Sequence, residues 1–313
     1  MDAVKKLFVK YREFPVPVKA SFWFLICAFL QKGISVITTP IFTRLFSATE
    51  YGKYSVFQSW LGIVEIFVSL SLTGGVYQQG LVKFEAEEKL FSSSLQGLSM
   101  ALTTAWAVVY LVFRGFWNRL FSLSTVQMLT MLIMIWASAA FGFWAAEQRL
   151  HYRYRALAAL TITVSFAKPA VGILFVLHAK ARVTARLLGL ALVELISYTG
   201  LFWAQMHRGK KFYSRKFWNY AIRFNLPLVP HYLSQTILNG ADRIMIERIT
   251  GADEAGIYSL AYSVSLVMTL FNTALMQTLS PWIYGKIKKK EIADIAPVAY
   301  STLSLTAFAN LFL

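Results

Sequence analysis

The stretch ASFWFLICAFLQKGISVITTPIF, from Ala20 to Phe42, is almost wholly apolar, yet it carries a lysine, Lys32, near its middle. A helix needs about 20 apolar residues to cross the hydrocarbon core of a bilayer. The stretch is too long for the apolar core of a signal peptide, and no clear small-x-small cleavage site follows it. It therefore predicts a retained transmembrane helix, and the lysine inside that helix needs an explanation.

The composition of the whole chain extends this interpretation. Of 313 residues, 57% are hydrophobic and only 15% are charged, with a mean hydropathy of +0.53. Soluble domains are about 45–50% apolar and about 25% charged, and a soluble fold of this length could not hide so much apolar surface. The apolar runs are continuous, whereas the strands of a membrane barrel alternate and are half as long. We therefore predict an all-α, polytopic membrane protein.

Nine apolar runs are candidate spans. Twenty Lys and Arg residues fall in the predicted connections on one side and eight on the other, which places the N-terminus in the cytoplasm by the positive-inside rule. The basic connection 180–187 on the outer side is the weakest point of this topology, and the other outer connections are too short to fold as a domain. The predicted spans are 20–43, 54–80, 92–113, 124–146, 157–178, 184–206, 225–247, 257–280 and 292–313.

Several classes of function are disfavoured by what the chain contains. Its net charge of +16 lies in short clusters between apolar runs and forms no single basic face, so we expect no nucleic-acid partner. The single cysteine, Cys27, allows no disulfide within the chain, and there is no zinc motif. There is also no phosphate-binding loop and no nucleophile elbow. We expect no cofactor, no metal and no enzymatic activity.

An internal repeat organises the chain. The segment RLFSATEYGKYSVFQS (44–59) matches RITGADEAGIYSLAYS (248–263) at an offset of 204 residues. Six predicted spans separate the copies, so both lie on the same side of the membrane, which indicates two parallel six-helix halves. The alternative is that a common turn-then-helix signal arose twice. The matched pairs are Arg44 and Arg248, Glu50 and Glu254, Gly52 and Gly256, Tyr54 and Tyr258, Ser55 and Ser259, and Ser59 and Ser263.

The repeat suggests a division into domains. We predict a six-helix N-terminal bundle over 1–206, a cytoplasmic linker over 207–224 and an incomplete C-terminal bundle over 225–313. The second half supplies about three of the six expected spans, so the chain is expected to be C-terminally truncated, about two thirds of a complete transporter. The basic and aromatic residues of the linker predict a helix that lies on anionic lipid.

Three segments together resemble a known family: the run 21–60, GGVYQQGLVKFE (74–85) and NGADRIMIERITGADEAGIYSLAYS (239–263). They resemble the bacterial oligosaccharide flippases of O-antigen and capsule assembly. These are polysaccharide biosynthesis proteins of the multidrug, oligosaccharidyl-lipid and polysaccharide exporter superfamily.

This resemblance carries expectations about function. It implies that the protein flips undecaprenyl-diphosphate-linked oligosaccharide repeat units from the cytoplasmic to the periplasmic leaflet of the bacterial inner membrane. The lipid-linked oligosaccharide and membrane lipids are the expected partners, and a polysaccharide polymerase and the chain-length machinery are further candidates.

The charges inside predicted spans are the candidate site residues. Lys32 is too far from either end of its span to snorkel to the interface, so it must face a partner or a wet cavity. Gln31, Ser35 and Thr39 form a polar stripe beside it, with a four-residue spacing. The other polar residues within spans are Lys168, Arg243, His231, Glu65, Glu194 and Asp242.

Two interpretations of these residues stay open. In the functional one, Lys32, Lys168, Arg243, Gln31 and His231 line a cavity that attracts the diphosphate. In the structural one, the cations are salt-bridged to Glu65, Glu194 and Asp242 and hold the helices together. We favour the cavity for Lys32 and Lys168, and neither interpretation for Arg243. Glu65 and Glu194 are expected to be structural partners, and a proton-coupling role for either stays open.

Two other functions remain as alternatives. A membrane glycosyltransferase or polymerase acting on the same lipid carrier would need acidic catalytic residues on the outer side, where Glu50, Asp253 and Glu254 are the candidates. A multidrug exporter of the same architecture would need an acidic or aromatic cavity for cationic drugs, and Lys32 and Lys168 do not fit that requirement.

Overall fold

The computed structural model describes residues 15–265, 291, 293 and 295–310, and within them the chain forms α-helices, short 3-10 turns and no strand. This confirms the all-α prediction. The helices are α1 Val16–Leu45, α2 Ala48–Ser69, α3 Gly75–Lys83, α4 Glu88–Val112, α5 Arg114–Phe121, α6 Thr125–Leu150, α7 Tyr154–His178, α8 Arg182–Gly209, α9 Arg215–Asn225, α10 Val229–Ile249, α11 over residues 252–265, and α12 Ile295–Asn310.

Five helical stretches are long and apolar enough to cross a membrane, and they coincide with five predicted spans. They are Lys19–Leu45, Glu85–Val112, Thr125–Leu150, Tyr154–His178 and Arg182–Gly209. Helices α2 and α10 have the length but are less apolar. The predicted span 257–280 lies outside the described residues beyond 265, and α12 falls inside the predicted span 292–313. The protein is therefore a polytopic membrane protein.

The predicted continuous span 54–80 is wrong. Helix α2 ends at Ser69, because Leu70 and Ser71 adopt left-handed backbone conformations with φ of 48° and 50°, and α3 begins only at Gly75. The side-chain amide of Asn225 donates to the carbonyl oxygen of Leu70 at 2.7 Å and so satisfies a group that the helix end leaves free. The break therefore depends on a residue far away in sequence, which a local apolar run does not reveal.

Contacts at the two ends of the helices show that successive long helices run in opposite directions. At one end, which we call the Leu45 end, Arg182 Nη1 donates to the carbonyl oxygen of Leu45 at 2.9 Å. At the other, which we call the Glu88 end, His151 Nε2 lies 2.7 Å from Glu88 Oε1. The predicted topology assigns the Leu45 end to the outer side of the membrane.

The basic connection 180–187 has a structural explanation. Arg182 satisfies the C-terminal end of α1, and Arg186 lies inside α8 with its guanidinium stacked on Phe42. Arg186 was therefore wrongly counted among the connecting residues. Two of the three cations of this segment therefore join α1 to α8, and only Lys180 remains as a charge of the exposed connection.

The two copies of the repeat contact each other. Helix α2 packs against α10, and its first turn lies against the first turn of α11. Thr49 donates a hydrogen bond from its hydroxyl to Asp253, its equivalent at the offset of 204. This contact supports the interpretation of the two segments as structural equivalents.

The linker forms a helix, α9, but the expectation that it lies on lipid is wrong for its apolar face. Phe217 and Ala221 are 2% and 0% exposed and belong to a hydrophobic cluster with α3 and α4. Trp218 Nε1 donates to the carbonyl oxygen of Ser94 at 2.9 Å. The apolar face of this amphipathic helix is therefore buried against protein, while the cationic side chains of Arg215 and Arg223 remain exposed.

Candidate functional site

A cavity of about 370 Å³ lies between α1, α7 and α8. This volume falls within the range of small-molecule sites, roughly 300–1,000 Å³. About half of the residues around it are polar, which is unusual for the interior of a helical membrane bundle. The polar residues are Gln31, Ser35, Thr38, Ser165, Lys168 and Arg186, and Tyr198 also lines the cavity.

Helix α1 provides one wall. Gln31, Ser35 and Thr38 are four and three residues apart, so they share one helix face. The hydroxyls of Thr38 and Thr39 donate back to the carbonyl oxygen of Ser35 at 3.1 and 2.9 Å, which lets threonine sit in an apolar helix. The predicted polar stripe is present, although Thr38 and not Thr39 reaches the cavity.

Lys168 fits both interpretations of the intramembrane charges, because it forms an ion pair with Glu194 and also lines the cavity. Lys168 Nζ lies 2.6 Å from Glu194 Oε1, and the two side chains are 32% and 4% exposed. The Lys168 side chain also lines the cavity. The second carboxylate oxygen of Glu194 is buried without a hydrogen-bond partner among the described residues. The pair thus holds α7 to α8 and leaves part of the ammonium open to the cavity.

Arg186 is the cavity residue that the sequence analysis missed. Its guanidinium carbon lies 3.5 Å from the centre of the Phe42 ring and 3.6 Å from that of Tyr54. Its Nε and Nη1 atoms are buried, and neither has a hydrogen-bond partner in the part of the chain that the structure describes. The side chain is therefore held between two aromatic rings while hydrogen-bond donors remain unused.

A spacing in α8 could have identified Arg186. Arg186, Leu190, Glu194 and Tyr198 follow one another at intervals of four residues and so share one helix face. Three of these four are polar, within a helix that is otherwise apolar enough to span a membrane. The pattern was missed because hydropathy placed the start of the predicted span at residue 184, and Arg186 was therefore assigned to the connection 180–187.

Lys32 is not among the residues that line this cavity. Its side chain is exposed and forms no ion pair with any described residue. It follows Gln31 directly, so it points about 100° further around α1. Glu65 on α2 is also exposed and forms no ion pair with a described residue. The structure therefore shows no ion pair between Lys32 and Glu65, the alternative that the sequence analysis left open, and it does not place Lys32 in this cavity.

The predicted residues on α10 are not part of the cavity either. Asp242 accepts a hydrogen bond from the Tyr258 hydroxyl, and Arg243 stacks on Tyr262 with 4.2 Å between the guanidinium carbon and the ring centre. An ion pair between Asp242 and Arg243 is therefore absent, although the Arg243 backbone N–H donates to Asp242 Oδ1 at 2.8 Å. The exposed His231 ring lies 3.3 Å from the side-chain amide of Gln235.

The acidic candidates for an external catalytic site make structural contacts. Ser47 and Glu50 form a capping box at the start of α2, in which the Ser47 backbone N–H donates to Glu50 Oε2 at 2.9 Å. Asp253 accepts the hydroxyl of Thr49. Within the described residues, no group of three His, Cys, Asp or Glu side chains could hold a metal ion.

The helices and the cavity define the class of the molecule: an all-α, polytopic integral membrane protein with a polar, basic cavity between α1, α7 and α8. The chain belongs to the polysaccharide biosynthesis protein family, whose model matches residues 18–285.

Two relatives come from Haemophilus influenzae. One is "Lsg locus putative protein 1", 22% identical over 280 residues, covering 88% of this chain and 67% of the relative. Another is named "Uncharacterized membrane protein" and is 21% identical over 303 residues, covering 92% and 70%. The chain thus spans about two thirds of the length of these relatives. No solved structure matches the chain significantly.

Proposed function

We propose that the protein is a flippase that moves undecaprenyl-diphosphate-linked oligosaccharides from the cytoplasmic to the periplasmic leaflet of the bacterial inner membrane. Its N-terminus is cytoplasmic in this proposal, and its product supplies O-antigen or capsule assembly through a polymerase and chain-length machinery. The family membership supports a role in polysaccharide synthesis or export, and the chemistry of the cavity supports the anionic lipid carrier.

The observation that carries the proposal is the guanidinium of Arg186, whose buried Nε and Nη1 donors have no hydrogen-bond partner among the described residues. Lys168 and Glu194 neutralise each other, so Arg186 is the uncompensated charge among the residues that line the cavity. An arginine stays protonated even when buried, and a buried donor without a partner costs about 1–3 kcal/mol. A diphosphate would provide acceptor oxygens in the planar geometry that a guanidinium binds best.

The same charge disfavours the two alternatives. A multidrug exporter for cations would place its substrate against Arg186 at short range and low dielectric, where like charges repel strongly. A polymerase needs a catalytic acid. Of the three external candidates, Glu50 and Asp253 are engaged in capping and hydrogen bonding at the Leu45 end, which leaves the exposed Glu254 alone.

The test is translocation by the purified chain in proteoliposomes that contain a fluorescent undecaprenyl-diphosphate oligosaccharide in one leaflet. A membrane-impermeant quencher measures its appearance in the other leaflet. We expect Arg186→Ala to slow translocation by about tenfold or more, the equivalent of one lost charge-assisted contact. Arg186→Lys, which keeps the charge but loses the fork, should retain an intermediate rate.

The matched control is Lys180→Ala, which removes a cation from an exposed position near the same end of the bundle. It should translocate at the native rate. Failure of the native chain to accelerate translocation, or equal rates for Arg186→Ala and Lys180→Ala, would overturn the proposal.

A further inference from the structure

A second cavity, of about 300 Å³, lies between α2, α4, α5 and α6, and the surface that it presents is entirely apolar. Trp60, Trp106 and Trp117 are among the residues that form its walls. Trp106 Nε1 donates to the carbonyl oxygen of Phe67 at 3.1 Å, so the polar tip of this indole is already occupied. Because the surface that faces the cavity is apolar, the cavity fits a hydrocarbon chain.

The walls of this cavity are fixed by hydrogen bonds, so the space exists before any ligand enters. The Tyr110 hydroxyl donates to Asn118 Oδ1 at 2.9 Å, and Asn118 Nδ2 donates to Thr125 Oγ1 at 3.0 Å. These two bonds tie α5 to the end of α4 and to the start of α6. The short helix α5 is therefore held as a stable wall at the Leu45 end.

The cavity adjoins a surface that faces membrane lipid. Large apolar side chains at the end of α4 and on α5 are exposed, Val112 at 67% and Phe116 at 61%. The α4 stretch Glu85–Val112 is one of the five apolar enough to cross the membrane, so these side chains lie at the level of acyl chains and headgroups. The hydrocarbon closest to the cavity is thus a chain of a membrane lipid.

Exposed arginines on α5 neighbour residues that line the cavity, and we call them its cationic rim. Arg119 adjoins the lining residue Leu120, and Arg114 lies one helical turn before the lining residue Trp117. Both arginines are exposed, and neither forms an ion pair with a described residue. A third arginine, Arg248, donates to the carbonyl oxygen of Leu120. Its Nε lies 3.8 Å from a Glu247 carboxylate oxygen, so it is partly neutralised.

We propose that this cavity binds one acyl chain of phosphatidylglycerol, an anionic phospholipid, with its phosphate held against Arg114 and Arg119. The charge of the rim selects an anionic headgroup, and the apolar interior accepts the chain. This cavity shares no lining residue with the polar cavity between α1, α7 and α8. The proposal is therefore independent of the proposed flippase activity, and the two can fail separately.

The experiment uses the tryptophans as reporters. The purified chain is reconstituted into phosphatidylcholine vesicles with increasing mole fractions of phosphatidylglycerol brominated on its acyl chains, which quenches nearby indoles. Brominated phosphatidylcholine serves as the neutral probe. We expect phosphatidylglycerol to reach half-saturation at a lower mole fraction, and each arginine near a bilayer surface to contribute about fivefold to that preference.

Two groups of variants distinguish the contribution of the lipid headgroup to binding from that of the acyl chain. Arg114→Gln with Arg119→Gln should abolish the preference, and Lys180→Gln, a matched charge removal in another connection at the same end, should leave it intact. Val64→Phe, which fills the cavity from α2, should lower the quenching by phosphatidylglycerol. Trp106→Phe, which removes one reporter from the wall of the cavity, should remove part of the quenching.

Equal quenching by the two lipids in the native protein would overturn the proposal. A preference that survives the loss of both arginines would overturn it too. The arginines are exposed, so their replacement does not disturb packing, and a thermal midpoint equal to that of the native chain verifies folding.

Discussion

Helices α2 and α11 approach each other so closely at Gly52 and Gly256 that neither position can hold a side chain. A Cβ atom on Gly52 would overlap the carbonyl oxygen of Ala252, and a Cβ atom on Gly256 would overlap that of Ala48. Both contacts join residues of the two repeat copies, and each is the image of the other at the offset of 204 residues. The copies therefore meet in an isologous contact, like the interface of a two-fold dimer. Small residues permit this close approach of membrane helices.

The glycine contact predicts opposite effects for the same substitution at two positions. Gly52→Ala forces α2 away from α11, and overpacking of this kind costs about 1–3 kcal/mol. At Gly200 in α8, a Cβ atom would meet nothing within 4 Å. Gly200→Ala should therefore stabilise the helix by about 0.5–1 kcal/mol. Thermal unfolding in detergent, followed by circular dichroism, measures both; a Gly52→Ala protein as stable as Gly200→Ala would show that the contact does not form.

If the two halves separate at the Leu45 end during translocation, a covalent link there should stop it. Thr49 and Asp253 are in side-chain contact, so cysteines at these two positions should form a disulfide once the single native cysteine, Cys27, is replaced by alanine. We expect oxidation to abolish translocation in the proteoliposome assay and a reducing agent to restore it. Each single-cysteine variant controls for oxidation itself. A native rate in the cross-linked protein would mean that the halves do not part here.

The sequence predicted some features well for a physical reason. Continuous apolarity over the length of a bilayer can be read without tertiary contacts, so α1, α4, α6, α7 and α8 were all found. The repeat was also visible, because equivalent turns use equivalent residues.

The features that were missed depend on distant partners. The break after Ser69 relies on Asn225, and the burial of Arg186 relies on Phe42 and Tyr54. Hydropathy also cannot distinguish a basic amphipathic helix on lipid from one packed on protein, which is why α9 was misassigned.

The Lys168–Glu194 pair should show non-additive effects on stability. Glu194→Gln leaves an ammonium without its carboxylate, and removing one partner of a buried pair can cost as much as about 3–5 kcal/mol. Lys168 is 32% exposed, so we expect the lower part of that range or less. Adding Lys168→Met to Glu194→Gln should recover most of the lost thermal stability. A double-mutant cycle of the thermal midpoints measures the coupling, and additive effects would show that the ion pair is not formed.

The docking of α9 predicts a difference between two phenylalanines of the linker. Phe217 is 2% exposed within a cluster with α3 and α4, and Phe→Ala in such a site costs about 3–5 kcal/mol. Phe212 is 47% exposed, so Phe212→Ala should change the free energy of unfolding by less than about 0.5 kcal/mol. Equal effects of the two substitutions in detergent would mean that α9 lies on lipid after all.

Lys32, near the middle of α1, forms no ion pair with a described residue. Its helix is the least buried of the five apolar helices, and an ammonium at this depth needs water or an anion beside it. We expect that Lys32 faces a wet path taken by the anionic headgroup and acts apart from the Arg186 cavity. Lys32→Gln should then slow translocation moderately.

Lys32→Glu should slow it by about tenfold more than the neutral substitution, because its charge repels the diphosphate. Lys180→Glu makes the same change of charge at an exposed connection and should have little effect. Translocation rates of the three variants decide the matter, since a native rate with Lys32→Glu is incompatible with an anion passing this lysine.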